Sequence, residues 1–306
     1  MFIGGAPGMA QWRAIQMQRH QSRTLLYQQA LEELRKNPKA ADMPDCAKAS
    51  NDKACVPAAI STPSETAVSA GKKLALLIGN NEYVQPIPPL ETPIHDINKI
   101  AELLKQRFGY EVKTVSNAGK VAIANALNQL AKEVRSTDSV LVLYAGHGYL
   151  MEDTNMGFWI PVDASVKTAA NWISNTDIAR FLQAIPARQM ILISDSCFSG
   201  TLTREQQLKS GGKLSRDEIL KRRSVLVMSS GGDEPVSDEG KDGHSIFAWS
   251  LINALKKVEG DAVGYDLFRT VRDQVKAEYP QEPAYGAVLS AGHKEGGDYL
   301  LEAAGQ

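Results

Sequence analysis

Two short apolar runs, each closed by small and reactive side chains, constrain this chain more than any other feature. Ser139-Val140-Leu141-Val142-Leu143-Tyr144-Ala145 leads into Gly146-His147-Gly148, and Met190-Ile191-Leu192-Ile193 leads into Ser194-Asp195-Ser196-Cys197-Phe198-Ser199-Gly200. A continuous apolar run of this length, bounded by turn residues, reads as a strand buried on both faces of a parallel sheet. The carboxyl ends of such strands border the ligand crevice of an open α/β sheet, so the histidine and the cysteine are expected to meet there. An imidazole within hydrogen-bond reach makes a thiol, whose free pKa is about 8.5, reactive near neutrality.

The pattern around these runs alternates between strand and helix, which predicts right-handed crossovers and a mostly parallel sheet with helices on both faces. Strands are expected at Leu74 to Gly79, Tyr110 to Val115, Ser139 to Ala145, Gln189 to Ser194 and Ser224 to Met228, with an extended piece at Gly157 to Val162 and a final strand at Asp298 to Leu301. Helices are expected from an Asp96 N-cap to Phe108, with Gly109 as the stop, then at Val121 to Val134, Asp177 to Ala184, Ser245 to Val258 and Tyr265 to Glu278. Residues 1–71 read as an amphipathic helix, Trp12 to Lys36, followed by a linker or pro-segment; residues 72–306 read as one α/β domain.

Composition bounds the partners. At 306 residues and 43% hydrophobic content the chain can bury one large core, and a net charge of -1 gives no electrostatic reason to expect nucleic acid or an anionic membrane. No apolar stretch approaches the length of a transmembrane segment, and the start lacks a basic region followed by an apolar one, so a cytoplasmic location is the default expectation. Cys46 and Cys55 sit close together in a polar stretch and leave two readings open: free thiols, or a disulfide that places the protein in a periplasmic or secreted setting. His20, His95, His244 and His293 are expected in surface or capping roles, whereas His147, between two glycines that permit close backbone approach, is set apart. Small polar neighbours surround Cys197, which argues against a buried packing role.

Cys197 follows His147 by 50 residues. With Tyr144-Ala145-Gly146-His147-Gly148 and Asp195-Ser196-Cys197-Phe198-Ser199-Gly200 as paired signatures, the chain resembles the caspase-like cysteine proteases of clan CD (peptidase C14). Within them it looks most like the bacterial orthocaspases, relatives of metacaspases, from about Lys72 to Leu301. The resemblance implies a caspase-like fold and a cysteine endopeptidase acting on protein or peptide substrates. His147 and Cys197 would be the catalytic dyad, with the backbone amides of Gly148 and Cys197 as the oxyanion hole.

Asp195 lies two positions before the cysteine and therefore alternates onto the same side of its strand. By resemblance to metacaspases its carboxylate selects arginine or lysine on the acyl side of the scissile bond. Two departures from animal caspases agree: Asp195 replaces their glutamine, and no arginine follows the first strand, which continues Asn80-Asn81-Glu82-Tyr83. The other reading of Asp195 is a helix cap or hydrogen-bond anchor. No cofactor is expected, and nothing resembles a zinc ligand set or a phosphate-binding loop. Calcium, which many metacaspases require, has Asp163 and Asp177 at roughly suitable distances beyond His147 but only Glu205 as an acid between Thr201 and Lys213, so no complete metal site is expected.

An enzyme of this specificity would carry candidate sites for self-cleavage in its own loop, at Arg204, Lys209, Lys213, Arg216, Lys221, Arg222 and Arg223. A non-proteolytic scaffold module and a thiol hydrolase of non-peptide substrates are the alternative functions.

Overall fold

The two motif strands are direct neighbours, parallel and in register. β3 (Ser139–Ala145) pairs with β7 (Gln189–Asp195) from Ser139 opposite Gln189 to Ala145 opposite Asp195. Partners along this ladder are therefore 50 apart in sequence, the same separation as His147 and Cys197. The computed structural model describes residues 71–151, 154–196, 206–207, 215–231 and 240–304. The expected N-terminal helix and linker, Cys46, Cys55 and Cys197 lie outside them.

Around this pair are β1 (Lys73–Gly79), β2 (Glu111–Ser116), β9 (Ser224–Ser229), β11 (Ala284–Ala287) and the short β8 (Gln206–Gln207), in the order β2-β1-β3-β7-β9-β11-β8. The first five are parallel; β11 and β8 are antiparallel additions at one edge. The expected open, mostly parallel sheet is thus observed. The final strand differs: Leu300–Leu301 (β12) pairs with Ala262–Val263 (β10) in a separate ribbon, and Ala284–Ala287 takes the place beside β9. That segment, Ala-Tyr-Gly-Ala, has no β-branched residue, so pairing on both sides rather than propensity makes it a strand.

Both faces of the sheet are covered, which is why its strands are continuously apolar. On one face Ala75, Leu77, Leu141, Leu143, Ile191 and Ile193 pack against helices α1 (Pro93–Phe108), α5 (Ile246–Lys257) and α6 (Gly264–Glu278). On the other, Leu76, Ile78, Val140, Val142, Met190 and Leu192 meet α2 (Lys120–Glu133) and α3 (Asn175–Ala184). Each Val, Leu, Ile or Met among them contributes about 1.5–3 kcal/mol of burial free energy, and the two-residue period assigns it to one face. A small sheet of β4 (Gly148–Met151), β5 (Met156–Trp159) and β6 (Ile173–Ser174) lies over a third cluster that includes Tyr83, Ile87, Phe158 and Trp172.

Helix boundaries follow their caps. Helix α1 stops at Gly109, with φ of 68°, as expected, but it starts three residues before Asp96. Thr92 is its N-cap, and Pro93 takes the first position, where a missing N–H costs nothing. Asp96, its N–H bonded to Thr92 O at 2.9 Å, lies inside the helix, and its side chain turns elsewhere.

Candidate active site

His147 leaves the end of β3 where Gly146 N–H, donating to Asp195 O at 3.2 Å, prolongs the ladder by one step. Four hydrogen bonds then hold the residue. Its N–H donates to Tyr83 Oη at 2.9 Å, and its carbonyl accepts from Tyr144 Oη at 3.0 Å and from Ile160 N–H at 3.0 Å. Its ring Nε2 lies 2.8 Å from the Pro88 carbonyl, while the Tyr83 ring packs against it with centroids 4.7 Å apart. A carbonyl can only accept, so Nε2 carries the proton and Nδ1 is the basic nitrogen of the neutral ring. The ring is thereby held as one tautomer, in a buried setting.

Tyr83 and Pro88 both belong to the loop between β1 and α1, which is fixed by three asparagines. Asn80 bonds Ala118 in both directions, and Asn81 accepts from Ile94 N–H at 2.9 Å while donating to Glu91 O at 3.0 Å. Asn117, with φ of 49°, accepts from the N–H groups of Asn81 and Glu82. The sequence reading passed over this loop, noting only that it lacks an arginine. Its value to the site is carried by backbone carbonyls and side-chain amides, which leave no catalytic signature.

Asp195 ends β7 half-buried on the α1/α5 face, and its Oδ2 accepts from Ser245 Oγ at 2.6 Å. Ser245 is the N-cap of α5, accepting from Ala248 N–H at 2.9 Å, so its proton is committed to Asp195. A second carboxylate reaches the same residue: Asp96 Oδ2 accepts from Ser245 N–H at 3.4 Å, and its Oδ1 lies 2.6 Å from His244 Nδ1. Burial pushes the Asp96 carboxyl above its ordinary range, against the His244 contact that lowers it. His95 stacks on His244 at 4.1 Å and lies 2.9 Å from Gly243 O through Nδ1. The expected surface or capping role therefore holds for His95 but not for His244 or His293, both only 7% exposed, and His20 lies outside the described residues. Asp96 and His95 of α1 cover His244, and His293 turns in to the start of β9 at the Val225 N–H, which local polarity does not reveal. Asp96, read as a cap, is the acidic residue near the site that sequence reasoning missed.

Gly148 opens β4 opposite Trp159 and is buried beside His147. Cys197, and with it the sulfur and amide assigned to it, lies outside the described residues. Of the carboxylates weighed for calcium, Asp163 accepts Lys120 N–H at 3.0 Å and caps α2, approaching so closely that a Cβ at Gly119 would sit 2.6 Å from it. Asp177 closes a capping box with Ser174 at the start of α3. Each is bound at its own helix terminus, and among the described residues no group of three or more His, Cys, Asp or Glu is arranged to hold a metal ion. Glu205, the third acid weighed, lies outside the described residues. Among them, too, no helix is long and apolar enough to cross a membrane.

A mostly parallel sheet covered by helices on both faces, with a buried, tautomer-fixed histidine at the end of a central strand, is the arrangement expected of the caspase-like α/β class. The crystal structure of a protein from Geobacter sulfurreducens shares the fold, with a TM-score of 0.52 at 16% identity, covering 74% of this chain and 99% of that one. The sequence matches Peptidase C14, the caspase domain, over residues 72–290, and the chain belongs to this family of cysteine-type endopeptidases. It is similar to Metacaspase-1 of Ajellomyces capsulatus, 24% identical over 302 residues, covering 75% of this chain and 82% of that protein. Metacaspase-7 of Arabidopsis thaliana is 30% identical over 156 residues, covering 45% of this chain and 38% of that one. Metacaspase-1A of Aspergillus niger is 24% identical over 285 residues, with 70% and 69% covered.

Proposed function

We propose that this cysteine endopeptidase works through a His147–Cys197 dyad, cleaves after arginine or lysine, and processes itself. The observation that supports the dyad most is the β3–β7 register: its constant offset of 50 matches the separation of the two residues beyond the strand ends. Asp195, opposite Ala145 at the last pair, is the acid nearest that point along the ladder.

In this reading the Cys197 sulfur attacks the scissile carbonyl as its proton passes to His147 Nδ1. The Nε2–H bond to Pro88 O keeps Nδ1 as the acceptor and stabilises the imidazolium that forms. The backbone N–H groups of Gly148 and Cys197 receive the developing oxyanion. His147 then gives its proton to the leaving amine, which departs as the thioester forms. Water attacks the thioester, its proton going to His147, and the carboxylic acid leaves with the regenerated thiol. Asp195, its carboxylate oriented by Ser245, faces the cationic side chain on the acyl side.

Fluorogenic peptide amides ending in arginine, lysine, aspartate or leucine test this directly. Turnover should be led by the basic pair and vanish in Cys197→Ala and His147→Ala, whose circular dichroism should match the parent. Asp195→Asn should lower kcat/KM for the arginyl peptide by about tenfold or more, since a desolvated partner charge is removed. Activity on small esters without peptide cleavage would favour a thiol hydrolase. A profile led by acidic or apolar residues would overturn the assignment of Asp195.

A further inference from the structure

Two glycines flank His147 and the β3–β7 ladder ends at Gly146, so the His147 N–H is taken by a side chain, the Tyr83 hydroxyl, rather than by the ladder. The Pro88 carbonyl orients the ring only if the His147 peptide is held. Tyr144, from β3, ties the His147 carbonyl to its own strand. Tyr83 does something different, because it comes from the loop that also carries Pro88. Its hydroxyl accepts the His147 N–H at 2.9 Å and its ring lies against the imidazole, so backbone and ring are referred to one body. The fit is close on the strand side as well: a Cβ on Gly146 would lie 2.7 Å from Tyr83 Oη and 2.9 Å from Tyr144 Oη.

We propose that Tyr83 is a positioning residue for the His147 base, acting through the hydrogen bond from the His147 N–H to its hydroxyl; this rests on the dyad reading above. Tyr83→Phe keeps the ring contact and leaves a buried N–H without its acceptor, so the His147 peptide shifts to find another. A displacement of even 1 Å at a reacting group can cost on the order of a hundredfold in rate.

Steady-state kinetics on an arginyl peptide amide, and the rate of Cys197 alkylation by iodoacetamide at pH 6, measure the effect in full-length protein. Tyr83→Phe should lower kcat by roughly 10- to 100-fold with KM within about twofold, and should slow alkylation toward the His147→Ala rate. Tyr110→Phe is the control for simple loss of a buried phenol: Tyr110 pairs with Tyr299 at 2.5 Å just before β2, at the opposite end of the sheet from His147. It should leave both readouts at the parent level. Gly146→Ala, which displaces the Tyr83 hydroxyl from the other side, should reproduce the kcat loss, and in the double variant with Tyr83→Phe the two penalties should fall short of adding. If Tyr83→Phe does not fold, Gly146→Ala decides against Tyr144→Phe, which removes the other hydroxyl its Cβ meets: a kcat loss larger than that of Tyr144→Phe supports the inference, and a loss no larger overturns it. Parent-like kcat and alkylation in Tyr83→Phe, or losses equalled by Tyr110→Phe, would overturn the inference while a dead His147→Ala left the dyad standing. An active His147→Ala would overturn both.

Discussion

His293 lies between Gly292 and Lys294 in a stretch whose composition reads as surface, yet its ring is buried and Nδ1 accepts the Val225 N–H at 3.2 Å. Burial holds this imidazole below its ordinary value of 6.5, and the Val225 contact requires Nδ1 to stay unprotonated. The unfolded chain therefore binds the proton first as pH falls. Stability is lost from the ordinary value downward, and the loss is complete only below the folded one. Asp96 and Asp298 act with the opposite sign: burial raises both, so each carboxylate costs stability above its folded value and is relieved on acidification. Only a difference between variants isolates the histidine. Urea midpoints measured from pH 7 to 5 should fall less steeply for His293→Gln than for the parent; parallel curves would mean that the pH dependence arises elsewhere.

At the scale of elements, the start of α5 would join stability to the specificity proposed for Asp195. Ser245 caps the helix through Ala248 N–H and orients Asp195 through its hydroxyl, while Asp96 receives its N–H. Removing the cap costs about 1 kcal/mol, within a range of roughly 0.5–2 kcal/mol. Ser245→Ala should lower the unfolding free energy by that amount and, separately, raise KM for an arginyl peptide with little change in kcat, because the carboxylate that would receive the cation loses its orienting donor. Ser245→Thr, which retains the hydroxyl, should restore both. An alanine variant with lowered stability and parental KM would limit Ser245 to a structural role.

At the scale of the whole molecule, the fold sorts the basic residues that were candidates for self-cleavage. Arg216 is the first residue of the short helix α4 (Arg216–Leu220) and is paired with Asp261 and Glu302. Lys221 closes that helix, and Arg222 N–H bonds Ile219 O. The Arg223 guanidinium is spent on the carbonyls of Ala187, Ile185 and Ala291, and its own carbonyl accepts from Lys294 N–H. A scissile bond must present an extended backbone and insert its basic side chain into the site. Arg216 and Arg223 cannot do so without dismantling contacts across the domain, and Lys221 and Arg222 cannot without unwinding the turn that closes α4. Self-processing should therefore cut after Arg204, Lys209 or Lys213, with new N-termini read by Edman degradation or mass spectrometry of the fragments. Fragments beginning at Ser224 would contradict this, as would cleavage that persists in Cys197→Ala.

Local chemistry determined the strand–helix alternation, the two apolar strands Ser139–Ala145 and Gln189–Asp195, and the stop of α1 at Gly109, because periodicity and backbone conformation are properties of a few consecutive residues. It also singled out His147, whose flanking glycines and preceding apolar strand are contiguous in the chain. What it did not contain was the Pro88 carbonyl, the Tyr83 hydroxyl, the Asp96–His244–Ser245 contacts or the edge strand Ala284–Ala287. Each of these joins segments far apart in sequence through groups that almost every residue possesses, a carbonyl, an N–H or a hydroxyl. Their roles arise only when tertiary packing removes water and leaves each buried polar group to find its partner within the protein.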